Sequence, residues 1–185
     1  MSGAAKGNSQ GRVVLLLRGI NVGGRHRLPM ADLRDVLTRQ LGCTDVLTYI
    51  QSGNAVFTAP QETPAASDLS AVLQERFGFP VPVMQRTAAE WHALVAANPL
   101  LSSGADAEFL HIVLLEEPLT EATAAMLQER QSGEEQWFAH GRELYLSLPH
   151  GVGRSKLALA MTSPRMPAGA TMRNWRTVLQ LQSML

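Results

Sequence analysis

The stretch VVLLLRGINVGG, residues 13–24, contains a strand followed by a glycine-rich loop. Its first five residues, Val13–Leu17, are all apolar, which is typical of a strand buried on both faces. Arg18 and three glycines follow, and then the basic segment Arg25–Arg27. This composition suits an anion-binding loop, because backbone N–H groups and guanidinium groups both hold phosphate. The spacing matches neither G-x-G-x-x-G nor a P-loop, so a plain strand-to-helix connection is the alternative.

Hydrophobic periodicity around this stretch predicts a first βαββαβ unit over residues 12–86. Glycines at the expected C-terminal cap positions, Gly42 and Gly78, end its two helices. The order β-α-β-β-α-β is the split βαβ arrangement of ferredoxin-like folds. The predicted strands lie at 12–18, 46–50, 55–58 and 81–84, and the predicted helices at about 30–41 and 69–77.

A second α/β unit over residues 87–185 echoes the first, with an added leading helix. Its predicted strands lie at 109–115, 137–139 and 143–148, and its predicted helices at 87–97, 120–130, 152–161 and 171–182. In the last helix, Trp175, Val178 and Leu179 share one face, so Trp175 is expected in the core rather than stacked on a base. The predicted fold class is α+β, with two ferredoxin-like halves related by a degenerate duplication, following a disordered tail over residues 1–11.

Composition indicates a globular protein of 185 residues with 45% hydrophobic and 17% charged residues. The single cysteine, Cys43, excludes an intramolecular disulfide and is expected in buried packing. These features predict a cytoplasmic location. We find no apolar run long enough to cross a membrane and no signal-peptide core, so we expect no membrane partner.

Formal charge is zero overall but unevenly distributed along the chain. Residues 1–39 carry seven Lys/Arg against two Asp, and residues 151–185 carry five Lys/Arg and no acid. The middle, 40–150, carries four basic and fourteen acidic residues. If the two ends meet in the fold, they form one basic face; the alternative is that these charges are scattered over solvated surface.

Two further polar segments carry candidate binding groups. Gln51–Asn54 has two amides and a hydroxyl that could bind a sugar, base or phosphate, although turn formation explains the same residues. At the start of the predicted last helix, Thr171 is a natural N-cap. Arg173 there opposes the helix dipole, so an acidic neighbour or a bound anion would compensate it. We find no metal-ligand spacing among the five histidines, no Gly-x-Ser-x-Gly elbow and no cofactor motif.

Several of these segments together resemble the signature of the bacterial family named domain of unknown function 1697. The resemblance covers nearly the whole chain from about residue 12. The matching segments are Arg18–Gly24, Met30–Leu33, Thr48–Asn54, Ser155–Leu157 and Thr171–Thr177. It implies two α/β halves related to the ferredoxin-like plan, and it implies no activity.

The resemblance also implies that the polar signature residues belong together, because packing alone does not require such a collection. They are Arg18, Asn21, Gln51, Ser52, Asn54, Ser155, Lys156, Thr171, Arg173 and Asn174. Ser155 and Lys156 are not a catalytic dyad by spacing, since adjacent helical residues point apart.

Three functions are compatible with this sequence. The first is binding of an anionic ligand, a nucleotide or a nucleic-acid phosphate, with phosphates held by Arg18, Lys156 and Arg173. The second is a small enzyme acting on a phosphorylated metabolite, for which no acid–base pair can be nominated. The third is an interaction or scaffold protein. The sequence decides neither catalysis nor oligomeric state.

Overall fold

The computed structural model describes residues 11–185, which divide into two compact units. Unit 1 contains the described residues up to Ala88 together with Met184–Leu185, and unit 2 is Ala89–Ser183. The tail predicted over residues 1–11 lies outside the described residues except for Gly11. The Gly11 carbonyl accepts a hydrogen bond of 3.1 Å from the N–H of Ala59. Of the two basic segments, the described residues 11–39 lie in unit 1, whereas residues 151–183 lie in unit 2.

Unit 1 has the predicted βαββαβ order. Its elements are β1 (Arg12–Leu17), α1 (Met30–Asp35), β2 (Thr44–Tyr49), β3 (Asn54–Thr58), α2 (Ala66–Phe77) and β4 (Val83–Thr87). The sheet order is β2-β3-β1-β4 and every pairing is antiparallel. Strands β1 and β2 are thus parallel with β3 between them, which is the split βαβ arrangement. β4 is an edge strand and begins two residues later than predicted.

The central strand β1 organises the core of unit 1. Val13, Leu15 and Leu17 share one face of the sheet and pack in a cluster with Leu33 and Phe57. The alternate residues of this strand are buried as well. The prediction of a strand buried on both faces is therefore confirmed, and it explains why the apolar run does not alternate with polar residues.

Both helices of unit 1 end as the glycines predict. Gly78 has a φ of 75° and its N–H donates to the carbonyl of Gln74 at 2.9 Å, forming a left-handed cap. α1 continues as a π-helical turn over Val36–Gln40 before Gly42, whose φ is 66°. Gly42 thus turns the main chain towards β2, and Gly78 turns it towards β4.

Unit 2 repeats the topology of unit 1. Its elements are α3 (Ala88–Ala96), α4 (Pro99–Ser102), β5 (Leu110–Leu114), α5 (Glu121–Arg130), β6 (Gln136–His140), β7 (Glu143–Ser147), α6 (Lys156–Ala160), β8 (Thr171–Asn174) and α7 (Trp175–Ser183). The sheet order β6-β7-β5-β8, again antiparallel, has the same pattern as the first sheet. The predicted α+β fold with two ferredoxin-like halves is confirmed.

The last helix is the main error of the sequence-based prediction. Thr171–Asn174 is not helical but forms β8, which pairs with β5 from Leu114↔Thr171 to His111↔Asn174. The helix begins at Trp175, where the side chain of Asn174, not Thr171, accepts a hydrogen bond of 2.8 Å from the N–H of Thr177. The helix-dipole argument for Arg173 fails for the same reason, because Arg173 lies in a strand.

Two smaller corrections concern helical faces and lengths. Trp175 and Val178 are buried as predicted, but Leu179 is 45% exposed, and Leu181 completes the buried face instead. The predicted helix over 152–161 is shorter: a 3₁₀ turn, Val152–Arg154, precedes α6. Ser155 separates the two, and its Oγ accepts from the N–H of Ala158 at 2.9 Å.

Two buried aromatic residues fasten helices of unit 2 to each other and to the sheet. The indole N–H of Trp91 in α3 donates to the carbonyl of Val178 in α7 at 3.2 Å. The hydroxyl of Tyr145 in β7 donates to the carbonyl of Leu94 at 2.7 Å. Both side chains are fully buried, so each hydrogen bond pairs groups that water cannot reach.

Replacing Tyr145 by Phe is expected to lower the free energy of unfolding. It should also make that free energy depend less on pH above about pH 10. The change leaves the buried Leu94 carbonyl unpaired, which costs about 1–3 kcal/mol. Burial, reinforced by the charge of Glu143, raises the pKa of Tyr145 above its ordinary 10.0. A raised folded-state pKa contributes stability that is present below about pH 10 and lost as pH rises further. Urea unfolding of both proteins between pH 7 and 11 measures this; parallel pH curves would contradict it.

Candidate functional site

The segment after β1 is a short β-hairpin rather than an irregular connection. The N–H of Arg25 donates to the carbonyl of Val22, and the N–H of Asn21 donates to that of His26, both at 3.0 Å. Gly23 and Gly24 form the tip with φ of 57° and 76°. Two left-handed residues in succession are typical of a type I′ turn, which is the favoured two-residue hairpin connection. We refer to residues 18–28 as the basic loop.

Asn21 holds the basic loop in place. Its Nδ2 donates to the carbonyls of Leu28 at 2.9 Å and Gln51 at 2.7 Å, and its Oδ1 accepts from the N–H of Leu28 at 2.9 Å. Its φ of 54° is left-handed, a conformation that asparagine adopts more readily than most residues. Both N–H donors of this amide are already used, so Asn21 positions the loop against the β2–β3 turn.

Replacing Asn21 by Gly should loosen the basic loop without straining the backbone, because glycine accepts a positive φ. Loss of three hydrogen bonds at a partly exposed position should lower the free energy of unfolding by about 2 kcal/mol. Amide exchange at Leu28 should accelerate, since its N–H loses the Oδ1 acceptor. Exchange measured by NMR against the wild type checks this, with the Ala59 N–H as an internal reference; equal rates at Leu28 would argue against it.

The β2–β3 turn uses its polar residues largely for its own shape. Asn54 is fully buried, and its Nδ2 donates to the carbonyl of Tyr49 at 3.1 Å and to Ser52 Oγ at 2.9 Å. Gln51 and Ser52 are exposed. Ile50, which precedes them, is 51% exposed with a φ of 48°, a strained conformation for a β-branched residue. Of the two interpretations of Gln51–Asn54, turn formation therefore accounts for Ser52 and Asn54.

The basic loop presents three arginines. Arg18 is half-buried, whereas Arg25 and Arg27 are exposed. Within the described part of the chain, none of their guanidinium groups has a side-chain hydrogen bond or a salt bridge. His26 between them is fixed: its ring stacks on Phe79 at 4.7 Å between centroids, and its Nδ1 lies 3.0 Å from the carbonyl of Gly19.

The remaining predicted site residues lie in unit 2. Ser155 is buried and caps α6, and Lys156 beside it is exposed. Thr171 is buried, and its hydroxyl accepts from Arg173 Nη1 at 2.8 Å. Arg173 also donates to the carbonyl of Met172, and burial lowers the pKa of its guanidinium to about 10, which still leaves it charged at neutral pH. Asn174 caps α7.

Direct contacts thus bring some predicted residues together within each unit. In unit 1, the basic loop meets the β2–β3 turn through the Asn21–Gln51 hydrogen bond. In unit 2, Thr171 and Arg173 are bonded neighbours on β8. Arg25 and Arg27 are not among the site residues predicted from the sequence, although the Gly-Gly dipeptide before them is a hairpin signal that places both on a projection.

A cleft in unit 2 was also missed by sequence reasoning. It has a volume of about 800 Å³ and includes Glu108, His111, Asn174, Arg176, Leu179 and Gln180 in its lining. Burial lowers the pKa of His111 below its ordinary 6.5. Of these residues, sequence reasoning singled out only Asn174 as a site residue. Its partners come from a 3₁₀ turn, a strand and a helix that no local pattern links.

The metal-ligating side chains and the cysteine of the described residues do not form a further candidate site. Between residues 11 and 185, no cluster of three or more His, Cys, Asp or Glu could hold a metal ion. Cys43 is buried as predicted, and desolvation raises the pKa of its thiol to about 11, so it is protonated at neutral pH. Over the same residues, no helix combines the length and hydropathy that a membrane span requires.

Comparison with known proteins places the chain in a family. The family model described as protein of unknown function (DUF1697) matches residues 11–145, well over half of the sequence. The chain belongs to this family. Of the segments that resemble the family signature, Arg18–Gly24, Met30–Leu33 and Thr48–Asn54 lie inside the match, whereas Ser155–Leu157 and Thr171–Thr177 lie beyond it.

A solved structure shares the fold of this DUF1697 chain. It is a conserved bacterial protein from Streptococcus pneumoniae, 24% identical, with a TM-score of 0.69. The alignment covers 94% of this chain and 98% of the other. At this identity the likeness concerns the fold alone. Among curated proteins, no significant match to the chain is found.

Proposed function

We propose that the basic loop of unit 1 binds the phosphate backbone of nucleic acid. The observation that carries this proposal is a set of three arginines, Arg18, Arg25 and Arg27, that have no acidic partner among residues 11–185, on a loop held by Asn21. Guanidinium groups bind phosphate oxygens through two parallel hydrogen bonds, which makes arginine well suited to this ligand. A loop that is ordered before binding loses less conformational entropy when the ligand arrives.

Two other arginines of unit 1, Arg34 and Arg39, have partners, unlike those of the basic loop. Arg34 donates to the hydroxyl of Thr48, and Arg39 forms a salt bridge of 2.9 Å with Asp35 in the preceding helical turn. These two therefore have a structural role within unit 1. The arginines of the basic loop have no such partner in the described chain, although Asp32 and Asp35 are close in sequence.

The exposure of the loop favours an extended polyanion over a small ligand. All six residues of Val22–Arg27 are exposed, so Arg25 and Arg27 stand on a projecting hairpin, with the half-buried Arg18 at its base. Small molecules are bound in concavities that bury most of their surface, whereas a nucleic-acid backbone offers successive phosphates to a projecting group. The loop's only ring, His26, is already stacked on Phe79. We therefore expect contacts to the backbone without base recognition.

Fluorescence anisotropy with labelled oligonucleotides at low salt tests this function. We expect single- and double-stranded oligonucleotides of mixed sequence to bind with similar affinity, because the backbone is contacted. Arg25→Ala and Arg27→Ala should each weaken binding about fivefold, which corresponds to about 1 kcal/mol for an exposed charged contact. Arg39→Ala is the matched control, since it removes an equal charge from the same unit, and should leave affinity nearly unchanged.

Competition distinguishes this function from the two alternatives. Free nucleotides and inorganic phosphate should displace the oligonucleotide only at far higher concentration, because each offers a single contact point. Equal displacement by a free nucleotide would favour a small phosphorylated ligand, as in the enzyme hypothesis. No binding of any oligonucleotide at low salt would remove the proposed function and favour the scaffold hypothesis.

A further inference from the structure

The cleft of unit 2 has the dimensions of a small-molecule site. Its volume of about 800 Å³ lies inside the roughly 300–1,000 Å³ that is usual for ligand pockets. One side is formed by Glu108 in the 3₁₀ turn before β5 and by His111 in β5. A second side, adjacent to the first through the pairing of His111 with Asn174, is formed by Asn174 and the first two turns of α7. The basic loop contributes nothing to it.

The side formed by Glu108 and His111 offers hydrogen-bond acceptors. His111 Nδ1 lies 3.1 Å from the carbonyl of Phe109, and a carbonyl can only accept, so Nδ1 carries the hydrogen. In the neutral ring, Nε2 is then an acceptor. Burial favours this neutral form by lowering the pKa of His111. Glu108 adds a carboxylate that has no salt bridge among residues 11–185.

The side formed by α7 offers donors. The Oδ1 of Asn174 is used by the N–H of Thr177, so its Nδ2 remains as a donor without a partner in the described chain. Arg176 is exposed, and its guanidinium likewise has no described partner. Both residues stand at the N-terminal end of a nine-residue helix, where the helix dipole favours negative charge.

We propose that this cleft binds a small zwitterion, a molecule that carries an ammonium and a carboxylate group, such as a free amino acid. The ammonium donates to Glu108 and His111, and the carboxylate accepts from Arg176 and Asn174. The half-exposed side chain of Leu179 offers an apolar contact on the same wall. One carboxylate and one guanidinium give the lining no net charge, which matches a ligand of no net charge.

Singly charged ligands fit this lining less well. A phosphate or simple carboxylate would be attracted by Arg176 but repelled by Glu108. A simple amine would be attracted by Glu108 but repelled by Arg176. A zwitterion satisfies both sides at once, because each of its charged groups faces an opposite charge together with a neutral hydrogen-bonding partner.

Calorimetric titration of the full chain with the twenty amino acids, followed by derivatives of leucine, tests the proposal. At least one amino acid with an apolar side chain, leucine first among them, should bind. N-acetyl-leucine lacks the ammonium and leucinamide lacks the carboxylate, so each should bind at least about tenfold more weakly than leucine, as loss of a charged hydrogen bond implies. This comparison requires no variant and therefore does not depend on folding.

Two variants then assign the two sides of the cleft. Glu108→Gln should weaken leucine about tenfold without weakening N-acetyl-leucine, whose carboxylate is no longer repelled by Glu108. Arg176→Gln should weaken leucine similarly without weakening leucinamide, whose ammonium is no longer repelled by Arg176. Glu117 and Arg154 are exposed residues of the same unit, and Glu117→Gln and Arg154→Gln are the matched controls. Neither control should change the affinity for leucine or for its derivatives. Failure of all twenty amino acids to bind at millimolar concentration, equal binding of leucine and both derivatives, or equal weakening by the controls would overturn the proposal.

Discussion

Gly53→Ala is expected to lower the free energy of unfolding by at least about 3 kcal/mol, combining a strained backbone with overpacking. Gly53 has a φ of 79°, and a Cβ atom there would lie 2.7 Å from Leu17 Cβ and 2.8 Å from Ile20 Cδ1. Ile20 could rotate away, but Leu17 Cβ is fixed to the central strand. Strand β1 cannot retreat without losing the hydrogen bond of 2.7 Å from the Leu17 N–H to the Gly53 carbonyl.

Gly78→Ala is the matched control for this prediction. Gly78 has almost the same φ, 75°, but a Cβ atom there would meet no atom within 4 Å. It therefore carries only the conformational cost, about 1–2 kcal/mol. Thermal unfolding should show Gly53→Ala melting about 10 °C below the wild type, since 1 kcal/mol shifts the midpoint by about 2–4 °C in a chain of this size. Equal midpoints for the two variants would contradict the close packing of the β2–β3 turn on β1.

The triple variant Arg18→Ala, Arg25→Ala, Arg27→Ala is expected to bind oligonucleotides about 100-fold more weakly than the wild type. Each lost contact contributes about 1 kcal/mol, or a factor of about five, and we add the three because the guanidinium groups share no partner in the described chain. Stability should change little for Arg25 and Arg27, because exposed residues without partners contribute little to folding. Anisotropy titration and urea unfolding of the same samples separate loss of binding from loss of structure.

The double variant Arg34→Ala, Arg39→Ala provides the control for charge alone. It removes two arginines from the same unit, both of which have partners in the structure. Its affinity should fall less than threefold, reflecting long-range charge only. If the double variant loses as much affinity per arginine as the triple variant, binding would depend on net charge and not on the basic loop.

Much of the fold is predictable because its strongest signals are local. The apolar run Val13–Leu17 predicts a buried strand, and the two helices of unit 1 end near Gly42 and Gly78, as expected. β8 was missed because four residues without an apolar run carry little strand signal, and their pairing with β5 is a long-range contact. Thr171 and Asn174 are both good N-cap residues, so the sequence placed the N-cap of α7 three residues too early.

The candidate site was less predictable because polar side chains that could bind a ligand also form structural hydrogen bonds. Asn21, Asn54, Ser155 and Asn174 were grouped as ligand-binding residues, yet each has a side-chain atom bonded to a backbone group. An amide that caps a helix and an amide that holds a ligand have the same local pattern. Which donors remain unused, such as Asn174 Nδ2, is visible only once partners from distant segments are placed.

The salt dependence of oligonucleotide binding tests the central claim most directly. Release of counterions gives a slope of log K against log salt concentration of about −0.7 per phosphate contacted on a single strand and about −0.9 on a duplex. Three arginines on the basic loop therefore predict slopes of about −2 and about −2.7, falling to near zero in the triple variant. A flat salt dependence of the wild type, or a steep slope that survives in the triple variant, would contradict the assignment of nucleic-acid binding to the basic loop.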